Sequence, residues 1–592
     1  MIKGEPTWVG AGSAALLAWV HTPSDATSRG IVVVAPPAGR ELMLSALTVR
    51  RLCIILAQSG YTAVRFGWRG SLDSQPLPRH ENVVDVWQED IRAVVRTTRE
   101  LLDAPDLPTF GVGYRTGAAV LGSMLQDFDA VVSWEPVSGK NFVRQWSRLR
   151  QTVATHVPAT DGLVDLLGMA VTPEQADDFR TLTVPTPTSD GQGTLVVEIK
   201  EADKRRAKAM FSVEPFDVRL HDDVFHRLCN ALPASAPRQV RRQLPTVVQN
   251  SWEQEGRLLY ERVVEVGPER RIGIVTWAEG SGAPGDFQGA PGLFVSGGGP
   301  DGRYGGGEWP FIARDLAVGG MVTLRVDRPL VGDATPVDAL RATNSYTRRS
   351  AVSFQESIAW LKANGCDSVH AALLCSSAWA ACLAQVQGIS LGASTMVLIG
   401  HSEWKMSEQL WAEARETYNA DAPRDAPVSN NRAARSVQVK VAEQCAIRPG
   451  VVGVMDRVKC MRQVMLAGGM GGLKNAVREQ IVLCVRTRMP YSLWKIAGRR
   501  SWMETPERVL EPMSRQARVV VLNGPDDLPR WYETRADRAV ERLAEAGLPI
   551  CSVESDRLDH SVITATGCRT VLDTLRAELL VDQELGSSVV RV

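Results

Sequence analysis

Two stretches of the chain repeat one design at a fixed distance, and that repeat restricts the folds open to it. Val369–Cys382 reads V-H-A-A-L-L-C-S-S-A-W-A-A-C. Val369–Leu374 is an apolar run long enough for one buried strand, and the small residues from Ser376 onward tolerate a helix, so Cys375 falls where a strand turns sharply into a helix. Phe110–Val120 reads F-G-V-G-Y-R-T-G-A-A-V and places Arg115 at the same kind of turn. Small residues two before and two after such a turn let strand and helix approach closely. Gly113 and Gly117 hold those positions in one copy, Leu373 and Ser377 in the other. An offset of 260 residues separates Arg115 from Cys375, Arg65 from Arg325 and Asp73 from Asp333. A constant offset over three landmarks implies one domain present twice.

The chain in order supports that reading. Gly30–Glu41, G-I-V-V-V-A-P-P-A-G-R-E, is a continuous apolar strand ending in a Pro/Gly turn, followed by a helical pattern from Leu42 to Ala57. Strands follow at Tyr61–Phe66, Thr109–Tyr114 and Ala130–Ser133, with a helix over Glu89–Leu102. Alternating helices and apolar strands predict a parallel sheet buried on both faces. The Pro- and Arg-rich segment between about 230 and 257 is the expected linker. The predicted domains are therefore 1–240, with a helical cap at about 140–190, and 258–592, with a cap at about 403–512. The second copy opens on Leu258–Val266 and Ile272–Trp277, which read as a hairpin, and continues with Gly292–Ser296, Thr395–Gly400, Ala517–Leu522 and Pro549–Glu554.

Composition removes several classes of function. The 67 basic and 67 acidic residues balance, which leaves no electrostatic footprint for nucleic acid. Ala14–Val20 is too short for a membrane span and reads as a strand, and no other apolar run approaches membrane length. The ten cysteines form no CxxC pair and no zinc-like spacing with histidine. They read as reduced thiols of a cytoplasmic protein, with no metal and no cofactor implied. The Gly-rich loop Ser296–Glu308 lacks the Lys-Ser/Thr of a phosphate-binding loop. The basic cluster Arg486, Arg488, Lys495, Arg499 and Arg500, with Trp494 and Trp502, reads as a solvated helix face; the alternative is a rim for an anionic substrate.

A nucleophile, an acid and a histidine on turns at the carboxyl ends of three different strands make an acyl-transfer site. The second copy has Cys375 after one strand, Asp526 and Asp527 after the next-to-last, and His560 after the last. Gly297, Gly298 and Gly299, with Ser376, are the candidate oxyanion loop. Ser376 or Ser377 as nucleophile fits the turn no better than Cys375. The first copy fails the test: Arg115 stands at the nucleophile position, and guanidinium stays protonated.

These features together predict two tandem α/β-hydrolase-like domains, the first catalytically inactive. The chain resembles the α/β-hydrolase-like proteins of bacterial polysaccharide and exosortase-associated loci, in the serine-aminopeptidase-like superfamily. P-P-A-G-R-E, Arg65–Ser74, W-E-P-V-S-G-K, L-R-V-D-R-P-L-V-G-D-A, L-L-C-S-S-A-W and L-D-H-S carry the resemblance. It implies Cys375 as nucleophile, Asp526 or Asp527 as acid and His560 as base. Leu373 and Ser377 stand where that family has glycine, and Gly67 where it has aspartate. The implied activity is hydrolysis or acyl transfer on an ester or thioester, with a small-molecule or acyl-carrier-bound substrate. A catalytically silent binding or scaffold protein is the alternative.

Overall fold

The computed structural model describes residues 4–159, 162–188, 194–210, 219–243, 245–299, 301–336, 347–404, 406, 489–499 and 505–580. Most of the cap expected at 403–512 lies outside them, including Arg486, Arg488, Arg500 and Trp502, as do the side chains of Lys495 and Arg499.

The apolar runs form two sheets. In hydrogen-bonding order the first runs Glu5–Val9, Leu16–His21, Thr62–Phe66, Ile31–Ala35, Thr109–Tyr114, Ala130–Trp134 and Leu195–Ile199. The second runs Gln249–Gln254, Arg257–Val266, Arg271–Ala278, Val322–Val326, Gly292–Ser296, Val369–Leu374, Thr395–Ile399, Arg518–Asn523 and Ile550–Glu554. Pairing is antiparallel at the N-terminal edge of each sheet and parallel elsewhere. Helices cover both faces, so Ile31–Ala35, Gly292–Ser296 and Thr395–Ile399 are buried at every residue. These sheets, with the strand order reversing about Ile31–Ala35 and Gly292–Ser296, define the α/β-hydrolase fold in each half. Crevices at such switch points are where open α/β sheets bind ligands.

The registers of the two sheets correspond. Val34 lies opposite Arg65 as Val295 lies opposite Arg325, and Ala35 opposite Gly113 as Ser296 opposite Leu373. Arg115 and Cys375 each sit between strand and helix with φ of 53° and 49°. The first insertion is a helix, Gly139–Val153, a short hairpin, Val164–Asp165 with Ala170–Val171, and a helix, Pro173–Arg180.

The second sheet starts within the expected linker. Gln249–Gln254 is polar, which hides it in the sequence, yet it pairs with Arg257–Val266 as an edge strand. Trp252 is buried against Leu259 and Ala278. Asn250 accepts the Gly12 N–H and donates Nδ2–H to the Gly12 carbonyl, both at 3.0 Å, tying this strand to the first half.

The halves also meet through buried ion pairs that cross in matching fashion. Arg65 pairs with Asp333, and the equivalent Arg325 pairs with Asp73 at 2.6 Å. Arg303 bridges Asp73, Asp327 and Asp333 at 2.9, 2.8 and 3.1 Å. Glu261 holds Arg325 and Arg314, and Arg314 also donates to the carbonyls of Asp73 and Ser74. Reciprocal contacts between equivalent residues are the signature of an isologous interface.

His401, just after the strand Thr395–Ile399, is buried with Nε2 3.4 Å from Cys382 Sγ. Burial pushes its pKa down to about 4. The unfolded chain therefore takes a proton below about pH 6.5 that the folded chain refuses until about pH 4. Stability should fall over that window by on the order of 3 kcal/mol. Urea unfolding from pH 7 to 4 checks this, and His401→Gln should remove that part of the slope.

Candidate active site

Each part of the site follows from local backbone chemistry. Cys375 adopts a left-handed conformation, strained for a side-chain-bearing residue, that lifts it out of the helix it precedes. Its N–H donates to the Ile399 carbonyl at 2.8 Å and its carbonyl accepts from Trp379 N–H at 3.0 Å. Leu373 is buried in the same apolar core as Ala378 and Trp379, so the leucine is absorbed by packing behind the turn.

Asp527 stands at the start of the helix Leu528–Glu533, its N–H on the Gly524 carbonyl at 3.0 Å. Gly524 is needed there, because a Cβ would lie 2.2 Å from the Leu558 carbonyl oxygen of the passing histidine loop. That loop is shaped by Asp559, which accepts from Ile563 N–H at 2.9 Å, Thr564 N–H at 3.1 Å and Thr564 Oγ1 at 2.6 Å. His560 then presents Nδ1 to Asp527 Oδ1 at 2.7 Å. Cys375 lies close enough to be the largest electrostatic influence on its ring. The Cys375 thiolate, with Asp527, raises the His560 pKa well above its usual value against the opposing effect of desolvation. Nδ1 held by the carboxylate fixes the ring, the arrangement in which Nε2 can exchange a proton with a nucleophile.

The remaining candidates separate. Asp526 points away, 3.6 Å from His156 Nε2, so Asp527 alone of the pair reaches His560. Ser377 Oγ donates to the Gly297 carbonyl at 2.6 Å, and since it has one proton, Ser296 Oγ supplies the 2.9 Å bond between them. Ser376 Oγ accepts from Arg328 at 3.0 Å. Both serines are buried and committed to structure. Gly298 passes so close that a Cβ would sit 3.2 Å from Cys375 Cβ, Gly297 packs on Gly305 and Trp309, and Gly299 has φ 49°.

Sequence reasoning missed Arg328. This buried guanidinium donates to the Gly298 and Gly299 carbonyls and to Ser376 Oγ, and so fixes the glycine loop to the turn beside Cys375. Its position one residue past a strand-ending aspartate was the available signal. Asp301 was missed too: burial raises its pKa, opposed by Arg40 of the first half, 4.0 Å away, and by Arg328.

In the first half Arg115 lies where Cys375 lies in the second, and Glu41 closes on it with two bonds, Nε–Oε2 at 2.6 Å and Nη2–Oε1 at 2.9 Å. Trp146 Nε1 donates to the same carboxylate at 3.0 Å. A salt bridge thus fills the site. A cavity of about 90 Å³ between the halves, lined by Trp19, Arg50, Arg65, Arg303, Tyr304 and Asp333 among others, contains none of Cys375, Asp527 and His560 in its walls.

No family model matches the chain, and no curated protein matches it. Among solved structures it is similar to an α/β serine hydrolase homologue from Coxiella burnetii, at 16% identity over 39% of this chain and 99% of that one, with a TM-score of 0.24. It is similar to an α/β serine hydrolase without lid from Xanthomonas campestris, at 17% identity over 40% and 97%, with a TM-score of 0.24. A thermostable esterase from Pseudomonas putida is 13% identical over 56% and 86%, with a TM-score of 0.30.

Proposed function

We propose that the protein is an ester or thioester hydrolase, or an acyltransferase, working through Cys375, His560 and Asp527. The observation that carries this reading is the His560–Asp527 hydrogen bond beside Cys375, itself raised on a left-handed turn. In this mechanism His560 Nε2 takes the Sγ–H proton and the thiolate adds to the acyl carbonyl carbon. The tetrahedral oxyanion forms against the Gly298–Ser376 corner. His560 then gives its proton to the departing alkoxide or thiolate, leaving the acyl group on Cys375. Water or an acceptor alcohol, deprotonated by His560, attacks that thioester and releases Cys375. The chain's two domains, 1–240 and 258–592 with the strand Gln249–Gln254 added to the second, arose by duplication, and the first lost its chemistry to Arg115. A place among polysaccharide and exosortase-associated hydrolases, in the cytoplasm, is the setting this reading favours. No helix among the described residues is long and apolar enough to cross a membrane.

Thiol labelling across pH tests the site without knowing the substrate. Burial raises the pKa of Cys53 to about 12, Cys229 to about 11 and Cys366 to about 12, and raises Cys382 and Cys568 as well. Cys375 should label fastest among the described thiols, because a thiolate paired with an imidazolium is the reactive form. His560→Ala should slow its labelling towards the rate of the other thiols. A Cys375 that labels no faster than the others, and ignores His560, would leave the scaffold reading in place.

A further inference from the structure

We propose that the first half is the positioning element of the second half's site: its insertion grips the loop that carries His560. The inference rests on the Cys375–His560–Asp527 reading. Three hydrogen bonds cross from the insertion to Ile563, Ala565 and Thr566, just after that histidine. Gly168 N–H donates to the Ile563 carbonyl at 2.7 Å. Asp165 Oδ2 accepts the Ala565 N–H at 3.2 Å. The Pro158 carbonyl accepts from Thr566 Oγ1 at 2.9 Å. Between these bonds the Ile563 side chain packs against the first half's own apolar core. A fourth contact, His156 with Asp526, touches the acid loop next to Asp527.

The grip is itself built on a rigid hub. Arg150, on the helix Gly139–Val153, donates Nε–H to Asp165 Oδ2 at 3.2 Å, Nη1–H to the Ala154 carbonyl at 2.5 Å and Nη2–H to the Val157 carbonyl at 2.9 Å. The Asp165 side chain is only 4% exposed, and its other oxygen accepts from Leu167 N–H at 2.9 Å. One guanidinium therefore fixes both the carboxylate and the turn that hold the second half. His560, by contrast, has a side chain that is 41% exposed and lies on a loop, where a general base needs outside support to keep its geometry. Asp165 touches no atom of the reacting groups; it acts through the backbone that carries His560.

The test uses the full chain and two variants. Asp165→Ala removes the grip on Ala565 N–H, and the nearly isosteric Thr566→Val removes the bond to Pro158 should the first variant fold poorly. Amide hydrogen exchange is followed by mass spectrometry over residues 556–567, and iodoacetamide labelling of Cys375 across pH. Exchange over 556–567 should accelerate by about tenfold or more while Val369–Leu374 and Arg518–Asn523 keep wild-type rates. Labelling of Cys375 at neutral pH should slow by about tenfold, the effect of a weakened thiolate–imidazolium pair. Unchanged exchange overturns the grip. Faster exchange with an unmoved Cys375 profile overturns the positioning role. If wild-type Cys375 is already indifferent to His560→Ala, the triad reading falls first, and the exchange data still decide whether the loop is held from the first half.

Discussion

Cys375→Ala should reduce ester and thioester cleavage by about 10⁴-fold or more, the scale on which losing a nucleophile from a working triad is felt. The reason lies in how the three groups depend on one another. His560 takes its raised pKa first from the Cys375 thiolate, and Asp527 holds Nδ1, so each group is useful only in the presence of the others. The losses should therefore not add: Cys375→Ala with His560→Ala should be no worse than Cys375→Ala alone. Asp526→Asn should leave turnover near wild type, because its carboxylate faces His156, whereas Asp527→Asn should cost several orders of magnitude by freeing the wrong tautomer. A panel of p-nitrophenyl esters and acyl thioesters, assayed with these four variants, provides the measurement. Equal activity in Cys375→Ala and the parent chain would sink the assignment.

Arg115→Ala should destabilise the protein by about 3–5 kcal/mol, the effect of stranding a buried charge. Glu41 is fully buried, and its two oxygens accept from Arg115 and Trp146. Removing the guanidinium leaves a desolvated carboxylate with one indole N–H. Adding Glu41→Gln should recover much of the loss, because a neutral amide tolerates the same space better than an unpaired anion. Turnover by the folded fraction should stay near wild type, since Arg115 belongs to the other site. Denaturant titration of the single and double variants, with activity measured well below the midpoint, separates stability from chemistry.

The parts of the candidate site that were legible in the sequence are those fixed by local rules. An apolar run, a sharp turn and a helix announce Cys375, and the order of turns after later strands announces Asp527 and His560. The choice between Asp526 and Asp527 was not legible, because neighbouring residues at a turn face opposite ways. Polar Gln249–Gln254 escaped for a different reason: an edge strand need not be apolar to pair. The longest-range contacts left no trace at all. Arg115 meets Glu41 across 74 residues and Asp165 meets Ala565 across 400, and no periodicity encodes such meetings.

The crossed pairs of Arg65 with Asp333 and Arg325 with Asp73 bear on how the chain is made. Their members lie 268 and 252 residues apart. Synthesis delivers the N-terminal half first, at about 5–20 residues per second. That half emerges with Arg65 and Asp73 still facing water, and they can be desolvated only when their counter-ions arrive from the later half. Closure of the seam is thus a late, concerted event in maturation. Until it happens the nascent protein keeps a charged, hydrated face, which protects it from sticking to its neighbours while it waits.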